Sequence, residues 1–207
     1  MPDTWSAATD FLACIDDDWR QHIAAIGPCL HQPQPARNPY ESLVRSIAYQ
    51  QLHARAGDAI IKRLLALFPT GSFPRPEQII AIGFDALRSC GFSASKIATI
   101  QGIAEAAVSG VVPDYVTARV MDDDALINRL ITLRGVGRWT VEMLLIYGLE
   151  RPDILPADDF GVREGYRRLK RLELQPTRKQ IIEIGLGWSP YRTVASWYLW
   201  RVPAQTG

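Results

Sequence analysis

Apolar residues recur in this chain at three- and four-residue spacing almost throughout and rarely alternate, a pattern that suits helices and not strands. Leu43, Ile47, Gln51 and Leu52 share one such segment, Ala56, Ile60, Leu64 and Leu67 a second, and Ile97, Ile100 and Ile103 a third. Each is short and bounded by turn-forming residues. Phe68-Pro69-Thr70-Gly71 ends the second, Gly91 precedes the third as a C-cap, and Ser93 or Ser95 is placed to cap it. Pro76 suits a first helical turn, and Phe84 opens another short helix. Further helical runs cover about residues 5–25, 122–130, 162–172 and 177–186, and a last one starts near Pro190 and carries Val194, Trp197, Tyr198 and Trp200. The pattern predicts an all-α protein of about ten short helices.

With 207 residues, 47% hydrophobic and 22% charged, the chain has a globular balance. No apolar stretch approaches the roughly 20 residues that cross a bilayer, so no membrane partner is expected. Met1-Pro2-Asp3-Thr4-Trp5 lacks a secretory signal pattern, which predicts a cytoplasmic protein, at the nucleoid in a bacterium, or a nuclear one in a eukaryote. Cys14, Cys29 and Cys90 form neither a CxxC pair nor a metal-ligand spacing and are expected to be buried thiols. His22 and His31 belong to no motif and read as surface residues; Trp5, Trp19, Trp188 and Trp197 read as packing. The proline-rich stretch from His31 to Pro39 looks like a connection between lobes. The formal charge of +1 conceals an asymmetry, a net of +4 from Leu133 onward against −3 before it. That leaves room for a modest positive face.

The most informative segment is Leu133-Arg134-Gly135-Val136-Gly137-Arg138-Trp139-Thr140, between one helix ending near Leu133 and another beginning near Arg138. Two glycines one residue apart permit a sharp turn and close backbone approach, and the N–H groups opening the next helix suit an anionic oxygen. A plain helix-turn-helix corner has the same pattern. A second element follows 20 residues after Trp139: Leu155-Pro156-Ala157-Asp158-Asp159-Phe160-Gly161-Val162-Arg163. One Asp can cap the helix starting near Phe160, and two adjacent carboxylates exceed what capping needs.

With these two elements the chain resembles the helix-hairpin-helix DNA glycosylase superfamily, and more closely its 3-methyladenine DNA glycosylase II, or alkylation-repair, branch. Asn38-Pro39-Tyr40, Tyr49-Gln50-Gln51-Leu52-His53, Gly91-Phe92-Ser93 with Lys96, and Trp188-Ser189-Pro190-Tyr191-Arg192 with Trp200 add matches in family order. The resemblance implies a two-lobe helical fold with an interlobe active-site cleft. Residues 1–37 would pack with the C-terminal lobe, residues 38–150 would form the bundle containing the hairpin, and residues 151–207 the lobe with the catalytic loop.

It also implies roles. Asp159 aligns with the catalytic Asp, the alternative being that it is itself the helix cap; Asp158 aligns with a neighbour that caps or supports the loop. A fixed carboxylate stabilises the positive charge that builds on deoxyribose as an N-glycosidic bond breaks. Trp139 stands where bifunctional relatives hold a lysine, and an indole cannot form a Schiff base, so water is the expected nucleophile and no AP lyase activity is expected. Trp139, Met143, Trp200 and Tyr40 would line the base pocket, where indole faces attract cationic alkylated purines. The alternatives are core packing for the tryptophans and a staple onto the next helix for Tyr40.

Gln51, Leu52 and His53 would enter the minor groove, with Leu52 as wedge unless it is simply a core leucine. Arg134, Gly135, Val136, Gly137, Arg138 and Thr140 would contact DNA backbone. No cofactor is required and no iron–sulfur cluster is expected, but the carbonyls of Ile131, Leu133 and Val136 match positions that hold a monovalent cation, Na or K. Lys96 would meet phosphate or another helix unless it is solvated surface; Arg192 would do likewise unless it forms a buried ion pair. The implied activity is monofunctional excision of alkylated purines from double-stranded DNA by a monomer, starting base excision repair. A non-enzymatic hairpin module that binds damaged DNA, or a glycosylase for other modified bases, are the rival readings.

Overall fold

The computed structural model describes residues 5–33, 37–68 and 72–204. The N-terminal Met1-Pro2-Asp3-Thr4 and most of Phe68-Pro69-Thr70-Gly71 lie outside the described residues, as does the middle of the proline-rich connection. Among the described residues every regular element is a helix. In chain order these are α1 (Ser6–Ala13), α2 (Asp17–Ile26), α3 (Pro39–Tyr49), α4 (Ala54–Ala66), α5 (Pro76–Ile82), α6 (Phe84–Ser89), α7 (Ala94–Val108), α8 (Tyr115–Val120) and α9 (Asp123–Leu130). Then come α10 (Arg138–Met143), which continues as a π turn over Leu144–Gly148, α11 (Phe160–Leu169), α12 (Arg178–Gly185), which runs into a 3-10 turn over Leu186–Trp188, and α13 (Arg192–Leu199). None is long and apolar enough to cross a membrane.

Contacts divide the chain into two units, Met1–Pro33 with Arg151–Gly207, and Gln34–Glu150. In the first, both chain ends build one core from Leu12, Trp19, Val162, Trp188, Val194 and Tyr198. Trp19 meets Trp188 edge-on with ring centroids 5.6 Å apart, the offset geometry aromatic quadrupoles favour. Polar ties accompany this packing. The His22 ring donates to the Tyr198 carbonyl at 2.9 Å, and the Tyr198 hydroxyl donates to the Gly27 carbonyl at 3.0 Å. His22 and His31 are therefore buried, against the surface expectation, because each is covered by an aromatic residue, Tyr198 and Trp5 respectively. Cys14 corrects the expectation in the other direction: it is exposed in the turn between α1 and α2, whereas Cys29 and Cys90 are buried.

One glycine sets how closely two helices of this unit approach. A Cβ at Gly165, in the middle of α11, would lie 2.7 Å from the backbone carbonyl carbon of Leu199 and 3.1 Å from its Cα. Only a residue without a side chain permits that crossing of α11 over α13.

The second unit buries Leu43, Ile47, Leu64, Ile79, Phe92, Ile97, Ile100 and Leu144 completely. α7 lies at its centre, packed on α3, α5 and α6. Asn38 starts α3 by accepting from the Glu41 N–H at 2.8 Å, and Pro39 takes a first-turn position where no N–H is needed. Of the two serines placed to cap α7, Ser93 does so, accepting from the Lys96 N–H.

Candidate functional site

The turn between α9 and α10 uses its first glycine as the sequence requires. Gly135 has φ +80, a left-handed conformation that glycine enters without strain. A Cβ there would lie 2.9 Å from Thr99 Cγ2 on α7, so the hairpin also rests against that helix. The Val136 N–H donates to the Leu133 carbonyl at 3.1 Å and closes the turn. Gly137 caps α10 with no side-chain hydrogen bond, and Arg134 and Gly137 are exposed.

Two other hairpin residues sit differently from expectation. Thr140 is 1% exposed, and its hydroxyl accepts from Gln50 Nε2 at 3.0 Å, so its side chain faces inward. Three positions into α10 from its cap, it falls on the inner helix face. Val136 likewise buries its side chain. Arg138 pairs with Glu142 at 3.0 Å and Asp124 at 3.5 Å.

The loop joining α3 to α4 presents Gln51, Leu52 and His53 to solvent. Leu52 is 42% exposed, which removes the core-leucine alternative, and Gln51 has a left-handed φ of +56. Lys96 secures the start of this loop: its ammonium donates to the carbonyls of Ala48 at 3.1 Å and Gln50 at 2.8 Å. It is therefore an interhelical clamp, not solvated surface, and burial lowers its pKa from the usual lysine value. Gln50, next in the chain before the exposed trio, bridges to Thr140 in α10.

Beside α3 and α10 is a cavity of about 390 Å³ lined by Arg37, Ser42, Arg45, Ser46, Tyr49, Trp139, Met143 and Tyr147. This is within the size range of small-molecule sites. Trp139 and Met143 come together here because they lie one turn apart on α10. Tyr40 does not join them. It is 4% exposed, packed edge-on against Phe73, with a hydroxyl that has no hydrogen-bond partner and a pKa raised by burial. The first turn of α3 points it into the core, against Phe73. Burial, then a hydrogen bond to Asp58, likewise raises the pKa of Tyr49.

Asp159 lies in the other unit, at the N-cap of α11. Its Oδ1 accepts from the Val162 N–H at 2.9 Å and from the indole Nε1–H of Trp200, also at 2.9 Å. Asp159 is thus the helix cap, and the carboxylate is held by two donors on one oxygen. Asp158 is not the cap; it is exposed and meets Arg178 Nε at 3.1 Å. Trp200 is half-buried, is not among the residues lining the cavity beside α10, and ties α13 to this loop. Gly161 leaves room for the pair, since a Cβ there would lie 2.9 Å from Trp200 Cδ1 and 3.1 Å from Asp159 Oδ1. Arg192 forms an ion pair with Asp153, with contacts of 2.7 Å and 2.9 Å. Burial works to raise the Asp153 pKa, but the Arg192 and Ser189 hydrogen bonds hold it below the ordinary carboxylate range.

No group of three or more His, Cys, Asp and Glu is placed to hold a metal ion among the described residues. Arg37, Arg45 and Tyr147 of the cavity lie in none of the sequence motifs, and Tyr49 and Gln50, although inside a matched segment, have no role assigned to them. Helical spacing alone carries the signal: Ser42, Arg45, Ser46 and Tyr49 recur at three and four residues on one face of α3.

Comparison with known proteins matches residues 44–190 to the family described as HhH-GPD superfamily base excision DNA repair protein. The chain is 42% identical over 191 residues to DNA-3-methyladenine glycosylase 1 of Schizosaccharomyces pombe, covering 92% of this chain and 84% of that protein. It is 34% identical over 200 residues to the alkylbase DNA glycosidase-like protein mag2 of the same organism, covering 96% of this chain and 94% of that one. Among solved structures it superposes on the S. pombe 3-methyladenine DNA glycosylase Mag1 in complex with abasic DNA with a TM-score of 0.90 and 41% identity, over 95% of this chain and 96% of that one.

Proposed function

The chain belongs to the HhH-GPD superfamily of base excision DNA repair proteins, and on that premise we propose that it is a DNA-3-methyladenine glycosylase that excises alkylated purines from double-stranded DNA. The observation that carries this is the 42% identity with the S. pombe DNA-3-methyladenine glycosylase over nearly the whole chain. The all-helical fold, matching that of Mag1, agrees with it.

Asp159 supplies the charge that the reaction needs. As the bond between purine and sugar lengthens, deoxyribose takes on oxocarbenium character, and a carboxylate held by fixed donors stabilises it without reorganising. Water then adds to the sugar and leaves an abasic site. Trp139 offers no amine at the position of the family's lysine, which supports a monofunctional enzyme without strand scission. The cavity beside Trp139 supports a base pocket, with the indole face meeting a cationic purine. Leu52, flanked by Gln51 and His53, has the exposure that a minor-groove wedge needs.

Contacts to DNA backbone fall to Arg134, Gly135, Gly137 and Arg138, together with the hairpin N–H groups. The carbonyls of Ile131, Leu133 and Val136 are hard oxygen donors that suit an alkali cation, and Leu133 keeps one lone pair beyond its bond from Val136. A cation held there would supply positive charge toward phosphate. No other cofactor is required.

Product analysis tests the reading. Methylated duplex incubated with the protein should release free methylpurine and leave abasic sites in unbroken strands, and borohydride should trap no covalent complex. Trapped enzyme, or strands cut without added base, would overturn the monofunctional assignment; absence of released base would overturn the activity.

A further inference from the structure

The cavity beside Trp139 carries more positive charge than a pocket for cationic bases needs. Arg37 and Arg45 both line it. One carboxylate stands against them: Glu41 Oε1 accepts from Arg45 Nε at 2.8 Å and lies 3.8 Å from Arg37 Nε. Asp58, bonded to the Tyr49 hydroxyl, is exposed and screened by solvent. Two guanidinium groups against one partly buried carboxylate leave an excess positive charge at the cavity wall.

Arg45 is fixed in place. Its side chain is 18% exposed, its guanidinium carbon lies 5.1 Å from the Phe73 ring centroid, and its Nε is committed to Glu41. A guanidinium has five N–H donors, so most of this capacity is not spent on Glu41. Burial, followed by repulsion from Arg45, lowers the Arg37 pKa.

Lesion chemistry separates two substrate classes at such a wall. Purines of the 3-methyladenine and 7-methylguanine type carry positive charge. When the glycosidic bond breaks, its electron pair moves onto the ring and the base departs neutral, so a neighbouring guanidinium repels the reactant and gains nothing from the product. Hypoxanthine and ethenoadenine are neutral. The same electron pair makes each of them an anion as it departs. Water supplies hydroxide to the sugar carbon, and the proton it loses neutralises the departing purine. Donors at the ring nitrogens or exocyclic oxygen stabilise that developing negative charge, the kind of preorganised electrostatic aid that acts only in the transition state.

We propose that Arg37 and Arg45 are specificity-determining residues of this cavity, shifting its preference from cationic alkylpurines toward neutral purine lesions such as hypoxanthine and ethenoadenine. The inference rests on the base-pocket reading of the cavity given above.

Single-turnover release from duplexes carrying 7-methylguanine, hypoxanthine or ethenoadenine tests it, with wild type, Arg37→Gln, Arg45→Met and Arg45→Lys. Removing either charge should lower the ratio of neutral to cationic release by about tenfold or more, the effect of one well-placed charge on a barrier. Release of 7-methylguanine should rise. Arg45→Lys, which keeps the charge, should retain more of the ratio than Arg45→Met. Melting curves identify any variant that fails to fold; if Arg45→Met does, the more exposed Arg37→Gln decides. An unchanged ratio, or a parallel fall for both classes in a folded variant, would overturn the proposal, as would a wild type that releases 7-methylguanine but neither neutral lesion. A wild type that releases no methylpurine would instead overturn the activity itself.

Discussion

Replacing Gly165 with alanine pits two effects of opposite sign against each other. In an isolated helix the change is favourable by about 1 kcal/mol, because alanine loses less backbone entropy. In this chain the new Cβ would lie 2.7 Å from the Leu199 carbonyl carbon. Carbon atoms pack at about 3.5–4.0 Å, so α11 and α13 must separate by about 1 Å. The obstacle is backbone in a buried helix, which cannot rotate away. Overpacking of this kind costs about 1–3 kcal/mol, and a backbone clash belongs at or beyond the upper end, for a net loss of about 2 kcal/mol. For a protein of this size that lowers Tm by about 4–8 °C.

The same shift reaches the loop that carries Asp159. Asp159 caps α11, Trp200 follows Leu199, and the bond between them spans the crossing. A displacement of about 1 Å at reacting groups costs on the order of a hundredfold in rate. Thermal melting and single-turnover base release on Gly165→Ala measure both consequences. Gly102→Ala serves as the control, since a Cβ in that part of α7 meets nothing within 4 Å and propensity should stabilise it. A Gly165→Ala protein that melts at or above wild type with full activity would refute the packing argument.

Trp200→Phe keeps a ring but deletes the N–H to Asp159, and should lower the single-turnover rate by about 10- to 100-fold, the usual range for a hydrogen bond to a charged group. An unchanged rate would mean that the Val162 N–H alone orients the carboxylate. Lys96→Met removes the donor to Ala48 and Gln50 and should cost about 1–3 kcal/mol in urea denaturation, with weaker binding to abasic duplex as the exposed loop loses its anchor. Glu164 is held at a pKa of about 2, against its ordinary 4.5, by hydrogen bonds from Arg167 and Arg168. Its contribution to stability is therefore full above about pH 4.5 and falls away as pH drops toward 2. Glu164→Gln should flatten acid unfolding in that window, and an unaltered acid limb would contradict it.

The helical architecture was legible because its signals are local. Periodicity, the Ser93 cap and the glycines of the hairpin each act within a few residues. α8 (Tyr115–Val120) has no clear signal in the sequence, because six residues with four exposed leave almost no apolar stripe. Which of two adjacent aspartates caps α11 was not legible either, since both have the same local chemistry and the choice follows from the turn at Pro156, where the Asp159 N–H bonds the Pro156 carbonyl. Tertiary pairings were hidden for the same reason. Nothing near Thr140 announces Gln50, 90 residues earlier, and nothing near Gly165 announces Leu199. A glycine in mid-helix was nevertheless a usable clue, because its propensity cost calls for a packing reason.

The role proposed for Asp159 is to stabilise the charge that forms as the glycosidic bond breaks. Asp159→Asn can still accept from Val162 and Trp200 through its amide oxygen, so the fold should survive while the charge is lost. Single-turnover release of 3-methyladenine and 7-methylguanine from methylated duplex, followed by mass spectrometry, measures the consequence directly. Asp159→Asn should lose at least about a hundredfold in rate, in line with removal of an electrostatic stabiliser from an active site, with wild-type melting and undiminished binding to abasic duplex. An Asp159→Asn protein that releases both bases at the wild-type rate would contradict it.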